Sequence, residues 1–276
     1  MTVLITGATG RIGELVVDHL TKAGTPTRAL VHRSTPTPHS LETVTGDLTV
    51  PDSLNPALHD IDTVFLVWTA PPQTVPAVID RIAHHARRIV FLSSPHQTPH
   101  PFFQQPNPTA ALHAEIERRI ADSTLESTIL RPGMFASNAF AWWEPAIRSG
   151  RPVRWPYATA ETAPVADRDV AAVAARALLG DVTGDSVLTG PESLTQAEQV
   201  AIIAEALGRE VTFEELSPDE FRRETAGSWP APVVEMLLAA WEATLGRPAF
   251  LSSGVSDVLG TAPRSFRRSI GETVEP

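Results

Sequence analysis

Residues 6–13 read Thr-Gly-Ala-Thr-Gly-Arg-Ile-Gly, and no other stretch constrains the fold so tightly. Val3, Leu4 and Ile5 ahead of it form a short apolar, β-branched run of the kind that makes a buried strand. Residues 14–22 behind it carry apolar side chains at helical spacing and stop before Gly24. The glycines therefore sit in a strand-to-helix turn, the context in which such a motif means dinucleotide binding. Gly7 permits the tight turn, Gly10 lets backbone N–H groups approach a pyrophosphate, and Gly13 lets the helix pack closely on the strand. Thr9, Arg11 and Ile12 complete the turn, and the helix N-terminus supplies free N–H donors for the anion.

The end of the second strand, predicted over residues 27–33, decides which dinucleotide is expected. Chains that prefer NAD place an acid there, which bonds the ribose 2′-hydroxyl and repels a 2′-phosphate. Here Arg33 stands 20 residues after Gly13, and no acid lies between Asp18 and Glu42. With Arg11 in the turn itself, two guanidinium forks are available to a phosphate. The expected cofactor is NADP(H).

Strands and helices then alternate. Strands are predicted to end at Gly46-Asp47-Leu48 and to cover 63–68, 88–94 and 127–131, with helices over 76–86 and 109–121. The run 63–68 is apolar throughout, as a parallel strand covered on both faces should be. Residues 95–108 hold five prolines and two histidines and read as a long loop of the kind that lines a site. Beyond Phe135 the pattern changes: Trp142, Trp143, Trp155 and Tyr157 gather among prolines. Helices are predicted over 167–179, 195–208 and 232–245, and one more strand over 186–189. The expected fold is α/β, a doubly wound parallel sheet (Rossmann) with a smaller, helix-rich C-terminal lobe. Residues 1–135 would bind the dinucleotide and 136–276 would mostly bind substrate, with about 165–190 returning to the first domain.

Composition narrows the function classes. A net charge of −10 argues against nucleic acid as a partner. No apolar run reaches the ~18 residues of a membrane span, and no targeting leader is evident, so a cytoplasmic protein is expected. With no cysteine and only a neighbouring His84–His85 pair on a helix, no metal site is expected. Twenty-one arginines against one lysine suggest a bacterial source with a GC-rich genome.

The glycine turn, Arg33, Gly46-Asp47-Leu48, Leu92-Ser93-Ser94, the helix around His113 and Glu117, and residues 128–135 together resemble the NmrA-like family of atypical short-chain dehydrogenase/reductases. The likeness extends to the tail at 258–266. It implies an NAD(P)-binding fold whose members reduce quinones, imines or enones, or sense the nucleotide without turnover. By position, Asp47 and Leu48 would face the adenine. Thr69 and Ser93 would lie near the ribose and nicotinamide, and Pro132 and Met134 would flank the nicotinamide.

The departures are as informative. The wider superfamily uses a Tyr and a Lys four apart on the helix after the fifth strand, Tyr as the acid and Lys lowering its pKa. This chain has one tyrosine, Tyr157, and one lysine, Lys22. Lys22 lies at the far end of the first helix, roughly 15 Å from the turn at ~1.5 Å per residue. Thr109 and His113 stand where Tyr and Lys belong. The candidate catalytic residues are then His113, oriented by Glu117 one helical turn on, and Ser93. His96 and His100 are alternative proton donors. His96, Phe135, Asn138, Trp142 and Trp143 are candidates for the substrate pocket.

Three functions remain open on this reading. The first is an NADPH-dependent reductase acting on a quinone, an enone or a flat, polyketide-like aromatic. The second is a nucleotide sensor, and the third a non-redox isomerase or cyclase. The expected partner is a small-molecule substrate, with homodimerisation left open.

Overall fold

The computed structural model describes residues 1–32 and 41–274. Seven parallel strands make the central sheet: β1 (Val3–Ile5), β2 (Thr27–Val31), β3 (Glu42–Thr45), β4 (Thr63–Leu66), β5 (Arg88–Leu92), β6 (Glu126–Pro132) and β9 (Ser186–Leu188). They run side by side in the order β3-β2-β1-β4-β5-β6-β9. The order reverses between β1, which pairs Val3 with Thr27 of β2, and β4, whose Thr63 lies opposite Val3 on the other side. Ligands bind at such a switch point, beyond the carboxyl ends of the strands.

Side chains alternate across the sheet. Leu4, Val64, Leu66, Ile89 and Phe91 face one core, which is closed by α2 (Asn55–Leu58), α3 (Val75–His85) and α4 (Pro108–Ala121). Val3, Ile5, Phe65 and Val90 face the other, covered by α1 (Arg11–Lys22) and α6 (Asp167–Leu179). Both faces are buried, which explains why β4 carries no polar residue except Thr63. α6 ends where Gly180 takes a left-handed conformation (φ 89°), as its glycine led one to expect.

The remaining elements build the lobe. They are α5 (Ala136–Arg148), β7 (Val153–Pro156), β8 (Glu161–Thr162), β10 (Leu194–Thr195), α7 (Gln196–Ala206), β11 (Phe213–Leu216), α8 (Pro218–Thr225) and α9 (Ala231–Glu242). Two helices follow, α10 (Gly254–Leu259) and α11 (Phe266–Val274). α7 starts on a capping box in which Thr195 and Glu198 bond each other's backbone N–H groups. Trp143, Trp155, Trp241 and Phe221 fill the lobe core. Trp142 stacks on Trp155 with ring centroids 5.6 Å apart.

The chain then goes back to the sheet. α6 packs along α1 and β9 extends the sheet beside β6. α10 lies on α6, where Gly254 has no room for a β-carbon because the Val187 carbonyl is in the way. The tail is fastened by Arg264, whose backbone and guanidinium both bond Asp169, a carboxylate only 2% exposed on α6. No described helix is long and apolar enough to cross a membrane.

Candidate active site

Two cavities open along the carboxyl edge of the sheet. The first, about 760 Å³, runs over the ends of β2, β1 and β4 and is lined by Thr6, Gly7, Thr9, Gly10, His32, Asp47, Leu48 and Thr69 among others. Gly7 turns the chain with φ +67°, a conformation that side chains other than glycine rarely take. A β-carbon at Gly13 would run into the Gly7 carbonyl, so only glycine lets α1 begin this close to β1. Gly10 caps α1 without any side-chain hydrogen bond, which leaves the first-turn N–H groups for a ligand. An extended dinucleotide with its pyrophosphate at this helix end fits these features.

At the β2–β3 end of this cleft, Asp47 takes the Thr49 N–H at 2.7 Å and lies 3.1 Å from His32 Nδ1. The Thr49 backbone bond first, and the His32 charge as a smaller contribution, hold its carboxyl below the usual range. Arg11 is the first residue of α1 and lies 3.9 Å from Asp167, while Ile12 packs partly into the core. Arg33 lies outside the described residues.

The second cavity, about 590 Å³, sits beside the first over the ends of β5 and β6. Its floor is Ser93, Ser94, Pro132, Gly133 and Met134; His96 and Phe103 come from the long loop and His113 from α4. Phe135, Asn138 and Trp142 enter from the start of the lobe. Trp229, Val233, Met236 and Leu237 close the far wall, and sequence reasoning singled out none of them. The signal was present: α9 is apolar on nearly every side, and such a helix needs more than one buried face.

Trp143 does not join this wall. It is 1% exposed in the lobe core, because neighbours on a helix point about 100° apart and Trp142 takes the cavity side. His100 lies off the second cavity, with Nε2 3.1 Å from the Pro248 carbonyl.

The polar groups are arranged differently from the expected His113–Glu117 couple. Glu117, 7% exposed, accepts from Arg131 Nε at 2.9 Å and Nη2 at 2.6 Å, a two-pronged ion pair from the neighbouring strand. Arg131 reaches on to Asp185 at 2.9 Å. Ser93 Oγ also donates to Glu117, so its proton is committed there rather than to a substrate oxygen. His96 has Nδ1 3.0 Å from the Ser94 carbonyl and Nε2 3.6 Å from Glu117 Oε2. Both nitrogens thus face acceptors.

His113 stands apart from this network. Its ring meets the Phe91 ring edge-on at 5.5 Å, and Nδ1 is buried without a partner among the described residues. Burial lowers its pKa to about 4, with Glu117 opposing and His96 assisting. The ring is therefore neutral near pH 7, a form that suits a hydrogen-bonding role better than that of an imidazolium acid. Ser94 Oγ is a second buried polar atom without a partner at this cavity. Among the described residues no group of three or more His, Cys, Asp or Glu is placed to hold a metal.

A fully parallel sheet, a glycine turn at its switch point and a cleft over that turn define a dinucleotide-binding α/β protein. A profile of the NAD(P)H-binding family matches residues 7–181. The (4-alkanoyl-5-oxo-2,5-dihydrofuran-3-yl)methyl phosphate reductase of Streptomyces griseus is 35% identical over 99% of this chain and 98% of its own length. The NAD(P)H azoreductase of Xenophilus azovorans is 26% identical over 99% and 91%. Another relative is itself named an NmrA-like oxidoreductase. The Citrobacter triphenylmethane reductase complexed with NADP(H) superposes with a TM-score of 0.80 over 99% of both chains, at 20% identity, and so shares the fold. The chain belongs to the NAD(P)H-binding family and is an oxidoreductase that uses NAD(P)H.

Proposed function

We propose that this chain is an NADPH-dependent reductase that delivers hydride to a small conjugated acceptor, an enone, a quinone or a related flat aromatic. The observation that carries the reading is the second cavity: apolar, aromatic-walled, of a size for a small organic ligand, and placed next to the dinucleotide cleft. The names of the reductase relatives support it. When bound, NADPH supplies the hydride. Arg33 would hold the 2′-phosphate, and the N–H groups at the start of α1 would hold the pyrophosphate.

His113 acts as a neutral hydrogen-bond donor. A buried N–H without an acceptor is costly, so the ring proton sits on Nε2 and leaves Nδ1 bare. That Nε2–H polarises the acceptor's oxygen without needing to titrate. His96 supplies the proton once hydride has reached the acceptor carbon and charge has moved to oxygen. Its ring is held by the Ser94 carbonyl 3.0 Å from Nδ1, with the Glu117 carboxylate 3.6 Å from Nε2. Arg131 and Ser93 fix the Glu117 carboxylate and hence the ring. Conjugated acceptors spread the incoming electrons, so His113 and His96 together take the place of the missing Tyr–Lys pair.

The test is NADPH oxidation against a panel of enones and quinones, followed by loss of NADPH absorbance. Wild type should turn over at least one class. His96→Gln should lower turnover by about tenfold to a hundredfold, at the low end of acid–base participation, with NADP⁺ affinity retained. No oxidation with any acceptor refutes the proposal.

A further inference from the structure

We infer that the acceptor carries no anionic group, and that this chain does not share the phosphorylated substrate class of its S. griseus relative. The inference rests on the reductase reading and adds the charge of the substrate to it. The relative's name describes a furanone enone bearing a methyl phosphate. A phosphate monoester brings close to two negative charges into whatever site receives it. Proteins that accept one supply guanidinium or ammonium groups, or a free helix N-terminus.

The first turns of α4 and α9 reach the second cavity, but Asn107 Oδ1 takes the Thr109 and Ala110 N–H groups and the Pro230 carbonyl takes that of Val233. Among its described lining residues there is no arginine and no lysine. Arg131, next to the lining Pro132, is 8% exposed and spends Nε and Nη2 on Glu117 and Asp185. His113 is neutral, and His96 faces the Glu117 carboxylate. The first turn of α5 adjoins the cavity through Asn138, but Asp167 bonds Ser137 N and Oγ there. The walls are the rings of Phe102, Phe103, Trp142 and Trp229, whose negative faces repel anions. The mouth is no better supplied, since Val233 and Pro230 on the rim are apolar. The chain's net charge of −10 adds long-range repulsion. A dianion would lose its hydration here without a partner. What the cavity does offer is ring faces for a flat apolar body, with Asn138, His113 and Ser94 as neutral polar atoms.

The experiment uses a matched pair: the alkanoyl furanone bearing a hydroxymethyl group, and its phosphate monoester. The reacting enone is the same in both. Each is titrated against the NADP⁺-loaded protein, and binding is read from tryptophan emission, with no need for turnover. The alcohol should bind at least tenfold tighter than the ester. Equal binding, or tighter binding of the ester, overturns the inference, and so does an alcohol that fails to bind at millimolar concentration. Val233→Lys, which places an ammonium at the mouth, should shift the affinity ratio at least fivefold toward the ester. A ratio that stays fixed also counts against the inference, because the missing cation is then not what excludes the ester. Failure of NADPH oxidation with every acceptor, alongside tight binding of the alcohol, would sink the reductase reading while leaving the charge preference standing.

Discussion

Burial of His113 makes the protein acid-sensitive in a defined window. In the unfolded chain its ring has an ordinary pKa of 6.5, whereas in the fold the value is about 4. Above pH 6.5 the ring is neutral in both states and contributes nothing to the pH dependence. As pH falls below that, the unfolded state takes up a proton that the folded state refuses, and stability drains away until pH passes about 4. At about 1.4 kcal/mol per pK unit, the full effect is about 3 kcal/mol, and about 2 kcal/mol of it is lost between about pH 7.5 and about pH 5. That is a large share of the ~5–15 kcal/mol that holds a typical domain together. The assay is denaturant unfolding of wild type and His113→Gln at both pH values. Gln cannot titrate, so the stability difference between the two proteins should shift by about 2 kcal/mol in the variant's favour on acidification. A difference that does not move with pH would show that His113 is not held neutral, and the hydrogen-bond role assigned to it would fall with it.

Other outcomes follow from the same geometry. Arg33→Ala should erase most of a preference for NADPH over NADH of at least about tenfold, ~1.4 kcal/mol, as read by calorimetry; equal affinities in wild type would refute the cofactor assignment. Gly10→Val places a branched side chain where the pyrophosphate meets the backbone, so nucleotide binding should vanish while circular dichroism stays native. Asp169→Ala removes the buried one of Arg264's two carboxylate partners, Glu272 remaining, and should cost about 1–3 kcal/mol in chemical denaturation, with the loss of the tail's protection from proteolysis as its signature.

The sheet was readable from the sequence because its rules are local. The apolar run at 63–66, the glycines at 7, 10 and 13 and the helix end at Gly180 each carry their own physical reason. α5 was not read as a helix. Trp142 and Trp143 gather among prolines, and α5 carries Pro145 three residues before its end. The site was legible as a set of residues and less so as a set of bonds. His113 and Glu117 are one turn apart, and helical spacing made them partners. The stronger claim on Glu117 comes from Arg131, on a strand fourteen residues away, and spacing along one helix cannot reveal that. Ser93 was placed near the ribose and nicotinamide by the family resemblance. Only the fold shows that its hydroxyl turns to Glu117.

The double return of the chain to the central sheet, first through α6 and β9 and then through α10, has a consequence for how this protein can change. The lobe is not a module that follows the sheet. It is two insertions, between β6 and α6 and between β9 and α10, joined by the C-terminal α11, which packs on α5 and α7. A swap of the whole region after Phe135 would strip α6 from α1 and leave β6 as a bare, sticky edge. Grafting both insertions together with α11, the junctions kept next to Ala166 and Leu188, would exchange the lobe's share of the second cavity while the glycine turn stays intact.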